Sequence, residues 1–183
     1  MGLLAVVVFS NAIDRASDMV FRPWALADPP LLDHWVGTLT AGNGVRMALA
    51  LDLRRAFDRN GDYPCARCAQ IEGTATTCDE RGTVLRYHIS GSPKDRHARS
   101  MLLGATPEKE PAPDGLEFST VSGGWDGADR LDIEADFVWR RGRSTISSTD
   151  DPATQPVPAP LERRGAGAFE AICAQVRRAS TQA

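Results

Sequence analysis

From Trp35 onward, apolar side chains fall at every second position, the spacing that lines them up on one face of a β-strand. Trp35, Gly37 and Leu39 alternate with Val36, Thr38 and Thr40. Ala41-Gly42-Asn43-Gly44 then supplies residues that accept positive φ in a tight turn. The return strand puts Val45, Met47, Leu49, Leu51 and Leu53 on one face and Arg46, Asp52 and Arg54 on the other. A second hairpin reads as Ile71 to Cys78, the turn Asp79-Glu80-Arg81-Gly82, and Thr83 to Gly91 with Leu85, Tyr87 and Ile89 inward. Two more strands are expected at His97 to Leu103 and Leu116 to Val121. The clearest strand is the last, where Leu131, Ile133, Ala135, Phe137 and Trp139 alternate with Asp132, Glu134, Asp136 and Arg140. Before it, Gly123-Gly124-Trp125-Asp126-Gly127 is turn-rich, which makes Trp125 a loop aromatic or a lid over one end of the fold. No helical period interrupts the strands, so the pattern predicts a mainly β, antiparallel up-and-down meander of about seven or eight strands, closed or nearly closed into a barrel.

The two ends read differently. Gly2 to Phe9 is continuously apolar, with Leu3, Leu4, Val6, Val7, Val8 and Phe9 as its large residues, and Asp14, Arg15 and Asp18 interrupt it further on. About 12 apolar residues fall short of the roughly 20 that cross a ~30 Å hydrocarbon core, and a basic leader region is missing. The segment is a membrane-inserted anchor, an uncleaved export signal or a buried core helix. Prolines 23, 29 and 30 end any helix there and mark a linker in which Phe21, Arg22 and Trp24 suit a membrane–water interface. After Arg143 the chain is rich in Ser, Thr, Asp and Pro through Pro160, and such a stretch needs its neighbours to order it. Phe169, Ile172, Cys173 and Val176 then recur at i, i+3, i+4 and i+7, the stripe of a short amphipathic helix packing on the barrel. The expected divisions are an apolar segment at 1–22, a linker at 23–34, the barrel at 35–143, an extended segment at 144–164, and the helix and tail at 165–183.

A tryptophan opening the first strand of an up-and-down sheet, with a late helix packed outside, resembles the calycin group of lipocalin-like and avidin-like barrels over residues 31–180. The likeness is architectural. Here the glycine follows the tryptophan, as Trp35-Val36-Gly37, where lipocalins place it before, and no ligand residue carries over. What the resemblance implies is a carrier of a small apolar ligand.

Composition narrows the function. A balance of 21 basic and 24 acidic residues gives a net charge of -3 without a basic stripe, which argues against nucleic acid as a partner. The four cysteines, Cys65, Cys68, Cys78 and Cys173, are an even number in a small domain, and disulfides come first. At least one is expected to join the Cys65/Cys68 loop to Cys78 or Cys173. The alternative is zinc on Cys65-Ala66-Arg67-Cys68 with Cys78 and Cys173 or His88, although the second paired half that such sites use is missing. Redox catalysis asks for a helix after Cys68, and none is written there. His34, His88 and His97 lie on separate segments. The acidic row Asp132, Glu134 and Asp136 reads as a solvated sheet face, with a bound cation or pairing to Arg46, Arg54 or Arg86 as the sharper options. No catalytic constellation and no cofactor motif stand out. The sequence therefore favours a non-enzymatic extracytoplasmic accessory or scaffold subunit, periplasmic or on the cell surface, tethered to a membrane or a membrane-protein complex by its N-terminus. The apolar-ligand carrier is the alternative. Large inward residues, Trp35, Met47, Leu49, Leu51, Tyr87, Phe118, Phe137 and Trp139, would leave a narrow barrel little cavity.

Overall fold

The computed structural model describes residues 31–56, 70–95, 97–109, 115–142, 144–148, 150–165 and 167–180. Its strands are β1 (His34–Thr40), β2 (Arg46–Arg55), β3 (Ile71–Asp79), β4 (Val84–Pro93), β5 (Ser100–Pro107), β6 (Gly115–Trp125), β7 (Arg130–Arg141), β8 (Ser144–Ile146) and β9 (Val157–Arg163). A 3-10 turn at Pro152–Thr154 precedes β9, and the helix α1 (Ala168–Ser180) follows it. From β1 to β7 each strand pairs antiparallel with the next, and β9 pairs with both β7 and β1. The sheet is thereby closed into an antiparallel barrel of eight positions. The eighth is shared: β6 occupies one edge of β7, while the other edge takes β8 against Trp139–Arg141 and β9 against Arg130–Ala135.

The closing strand lies in the segment that composition set outside the barrel. In β9, Val157, Ala159 and Leu161 are buried and alternate with exposed Pro158, Pro160 and Glu162, a period of two in which both prolines face out. Proline cannot donate to a ladder. The Pro160 carbonyl faces β1, lying 2.5 Å from where a Cβ on Gly37 would stand, so the missing donors of Pro160 and, two residues back, Pro158 fall on the β1 side. The β1–β9 seam accordingly holds only the pairs Trp35–Arg163, Val36–Glu162 and Gly37–Leu161. Beyond them the 3-10 turn fills the gap, and the Pro152 carbonyl packs against Gly42.

Two other boundaries differ from the pattern-based reading. β5 starts at Ser100 instead of His97, because Asp95 folds the preceding residues into a turn. Its Oδ1 accepts from the His97 N–H at 2.8 Å, and its Oδ2 accepts from the Ser100 N–H and hydroxyl at 2.6 and 2.7 Å. β6 runs through Gly123-Gly124 to Trp125 where a turn was expected. A Cβ on Gly123 would come within 2.3 Å of the Asp132 carbonyl, so β7 crosses close to it and glycine is what the crossing requires. Of the two readings of Trp125, the lid is the one observed: it packs partly buried against the core at the end of the barrel where the β6–β7 loop lies.

The inward faces make one continuous core that includes Trp35, Leu49, Leu51, Tyr87, Ile89, Phe118, Leu131 and Phe137. Phe118 stands edge-on to both Tyr87 and Phe137, at centroid distances of 5.6 and 5.8 Å. An eight-stranded barrel is just wide enough for side chains to fill, and these do. At the end where the chain enters, the Trp35 indole N–H donates to the Leu31 carbonyl at 2.9 Å. The Arg163 guanidinium lies 5.0 Å over the ring and pairs with Asp33 at 3.1 Å. That stacked cation ties the first barrel strand to the last.

Outside, α1 lies across β1, β2 and β3. Ala48 and Cys78 are buried although their strand positions alternate with inward ones, and their small size lets the helix approach closely. On the helix, Val176 is fully buried and Phe169, Ile172 and Cys173 are partly so, as the apolar stripe predicted. Cys173 is joined to Cys78 with Cα atoms 5.6 Å apart. Closing a loop of 95 residues, this bond contributes on the order of 4–5 kcal/mol in the chain-entropy account. Phe137→Ala should cost about 3–5 kcal/mol through lost burial and a residual cavity, and Glu134→Ala, exposed on the same strand, should stay within about 0.5 kcal/mol. Urea titrations of the two variants check this, and equal losses would mean that the faces of β7 are misassigned.

Candidate functional site

The turns after β1, β3 and β7 gather at the barrel end opposite Trp35, and there the packed interior opens into a cup of about 470 Å³. Val45, Met47, Leu85, Leu116 and Trp139 form its apolar wall, Thr77 contributes a buried hydroxyl, and Asn43, Asp79, Glu80, Arg81 and Thr83 lie at the rim. The alternation continues the inward faces up to the mouth: Leu116 pairs with Trp139 across β6 and β7, one step above the pair Phe118 and Phe137. The residues that seal the barrel therefore also make the floor of the cup.

Most polar groups around this mouth are engaged. Asp79 Oδ1 accepts from the N–H groups of Arg81 and Thr83 at 3.0 and 2.7 Å, holding the β3–β4 turn. Glu80 Oε1 accepts from the Arg46 N–H at 3.0 Å and joins that turn to β2. The Trp139 indole N–H donates to Asp151 Oδ2 at 2.6 Å, while Oδ1 of the same carboxylate caps the 3-10 turn by accepting from the Ala153 N–H at 2.9 Å. One aspartate thus sets the tilt of the aromatic wall and anchors the turn that fills the seam.

Below the cup, the Tyr87 hydroxyl accepts a 3.5 Å hydrogen bond from the Phe118 N–H and is bonded to Thr77. Burial pushes its phenol above the ordinary tyrosine range, and these hydrogen bonds oppose the shift only in part. Nearby, Arg140 grips Glu117 with both Nε and Nη2, the latter 3.0 Å from Oε1, with the two side chains 12% and 8% exposed. Such a bidentate, nearly dry pair rigidifies the wall, and removing either partner would strand a charge. It joins β6 to β7 beside a bulge at Ser119. Neither residue was singled out as a pair in the sequence, because strand register and a bulge bring them together.

The sequence-derived candidates fare unevenly. Cys78 and Cys173 bond to each other, so the expected bridge from the Cys65/Cys68 loop to one of them is corrected. The helix stripe lays Cys173 directly over the outward face of β3, where Cys78 sits. The same bond withdraws both sulfurs from the zinc reading, and among the described residues no cluster of three or more His, Cys, Asp or Glu side chains could hold a metal ion. Cys65 and Cys68 lie outside the described residues, as do Leu3, Leu4, Val6, Val7, Val8, Phe9, Phe21 and Trp24. His34 begins β1, His88 is exposed on β4 and His97 is exposed in the β4–β5 loop, so the fold does not assemble them. In the acidic row, Asp132 pairs with Arg130 on its own strand at 2.7 Å and Asp136 accepts from the Thr120 hydroxyl. Arg54 pairs instead with Glu72 across β2 and β3 at 3.3 Å. No described helix is long and apolar enough to cross a membrane. A disulfide persists in oxidising compartments, which suits an extracytoplasmic location.

No family model matches the chain, and no curated protein does. Among solved structures, that of EF1p2_mFAP2b bound to DFHBI is 14% identical, covers 73% of this chain and 94% of its own, and has a TM-score of 0.47. A de novo designed fluorescence-activating β-barrel is 10% identical, with 77% of this chain and 97% of its own covered and a TM-score of 0.46. These values carry no residue's role across to this chain.

The raised Tyr87 phenol has a stability consequence. Below the ordinary tyrosine value of 10.0 both folded and unfolded phenols are protonated; above it the unfolded chain ionises first, so stability falls as pH rises. Tyr87→Phe should lose about 1 kcal/mol at neutral pH with its hydrogen bonds, and its stability should decline less steeply between about pH 9 and 11. Denaturant titrations at several pH values read both effects, and identical alkaline slopes in the two proteins would contradict the burial of the phenol.

Proposed function

We propose that this protein is a non-enzymatic binding barrel of an oxidising, extracytoplasmic compartment, holding a small, mainly apolar ligand in the cup at one mouth. The observation that carries this is the cup itself. Its volume of about 470 Å³ falls within the range of small-molecule sites, and its wall of Val45, Met47, Leu85, Leu116 and Trp139 is apolar beneath a polar rim. A ligand here rests on a solid floor, since Tyr87, Phe118 and Phe137 already fill the interior. The resemblance to calycin barrels implies the same kind of role. Enzymatic chemistry has less support, because Asp79 and Asp151 bind the backbone of their own turns and Glu117 is neutralised by Arg140.

The tethered accessory role rests on the run from Leu3 to Phe9 and on Phe21 and Trp24, and its support is sequence alone. It is compatible with the carrier reading, since a tether at the N-terminus would enter the barrel at the Trp35 end and leave the opposite mouth open. The cup puts ligand binding first.

Titration of the full-length protein with the neutral, environment-sensitive probe N-phenyl-1-naphthylamine should show saturable one-to-one binding with a dissociation constant on the order of 10 μM. Leu116→Arg, which places a charge in the cup wall, should weaken binding at least about tenfold through desolvation of the guanidinium. Leu102→Arg, on the outer face of β5, should leave it unchanged. Non-saturable binding, or equal losses in both variants, would sink the proposal.

A further inference from the structure

We infer that the Cys78–Cys173 bond is a redox latch: breaking it releases α1 from the barrel as a free strap while the eight-position sheet stays closed. Four observations carry this. First, the apolar grip of the helix is narrow apart from the bond, for Val176 is its one fully buried side chain among the described residues, Phe169 and Ile172 are only partly covered, and Arg177 adds a polar contact over Gly82 of the β3–β4 turn. Second, a 13-residue helix is marginal alone in water, so once undocked it has little reason to stay folded. Third, the connection from β9 is short and exposed, held among the described residues by two backbone hydrogen bonds, Arg164 N–H to the His34 carbonyl and Ala168 N–H to the Gly165 carbonyl, each at 3.2 Å. A Cβ on Gly165 or Gly167 would meet nothing within 4 Å, and Gly167 takes a φ of +91°, so no side-chain packing opposes a swing of the strap about these glycines. Fourth, barrel closure does not run through the helix: β9 is held by six register pairs to β7 and by Arg163 over Trp35.

The surface uncovered is small: Ala48 and Cys78 on the barrel, and Phe169, Ile172 and Val176 on the strap itself. An apolar strip of that size is tolerated in water, so the released state is soluble and the change reversible. The chemistry is thiol–disulfide exchange with an external dithiol. Its thiolate attacks the sulfur of Cys173, the less buried of the two cysteines, the S–S bond breaks, and Cys78 leaves as a thiolate that takes a proton from solvent. The second thiol of the reductant then displaces Cys173, which is protonated in turn, and the reductant departs as a disulfide. Because Cys78 is fully buried, attack from its side is blocked while the helix is docked.

Hydrogen exchange read by mass spectrometry on the full chain tests the latch, comparing the wild type with a Cys78→Ala/Cys173→Ala double variant under non-reducing conditions. Expected is exchange across residues 168–180 at close to free-chain rates, while residues 46–55 and 131–139, which open only through global unfolding, stay protected at least about 100-fold over a free chain. Stepwise reduction of the wild type by dithiothreitol with alkylation should release both thiols while the strand peptides stay protected. A helix as protected in the double variant as in the wild type would show that its apolar face suffices without the bond. Protection lost evenly over helix and strands, or a double variant that does not fold, would show that the bond supports the whole barrel; either result overturns the latch.

Discussion

Closure of the sheet is the constraint on which the rest of this structure depends. A meander of seven strands presents two open edges, each a row of unpaired backbone donors and acceptors, and β9 removes both by pairing with β1 on one side and β7 on the other. Once closed, the inward alternation of every strand converges on one axis, and side chains as large as Trp35, Tyr87, Phe118 and Phe137 become neighbours. The closing strand is also the least regular one. Pro158 and Pro160 thin its ladder to β1, and the stacking of Arg163 on Trp35 and the packing of Pro152 against Gly42 secure the ends of that seam.

The two ends of the barrel follow from this asymmetry. Where the chain enters, Trp35, Leu31, Arg163 and Asp33 make a finished plug. At the other end Leu116 stands where Phe118 stood one step below, Leu85 and Val45 lie beside it, Trp139 alone continues the aromatic side, and the interior opens. The polar groups that could have solvated that opening are committed to holding turns, so its wall stays apolar while its rim stays rigid. An apolar recess with a fixed rim is suited to binding, and that is the physical basis for the role proposed.

Much of the architecture was legible along the chain, for a definite reason. Burial on one side only imposes a period of two, and Leu131 to Ala135 displays it without interruption. The helix stripe of Phe169, Ile172, Cys173 and Val176 was equally plain, because one-sided packing imposes its own period. β9 was missed although it has the same alternation, since two prolines in seven residues argue against a central strand wherever the side of the missing donors is unknown. Cysteine pairing was missed because it depends on which strand lies beneath the helix, a matter of topology and not of spacing.

The sequence by itself therefore determined a mainly β meander, the inward and outward sets of most strands, a helix packed outside and the presence of cysteines suited to bonding, all of which are local or periodic properties. Only the tertiary structure decided which segment closes the barrel, that Cys78 bonds to Cys173, that Glu117 meets Arg140 across a bulge, and that a cup forms at one mouth. Each of those depends on register between segments far apart in the chain. Register is set by the simultaneous packing of all eight positions, which no single stretch of residues encodes.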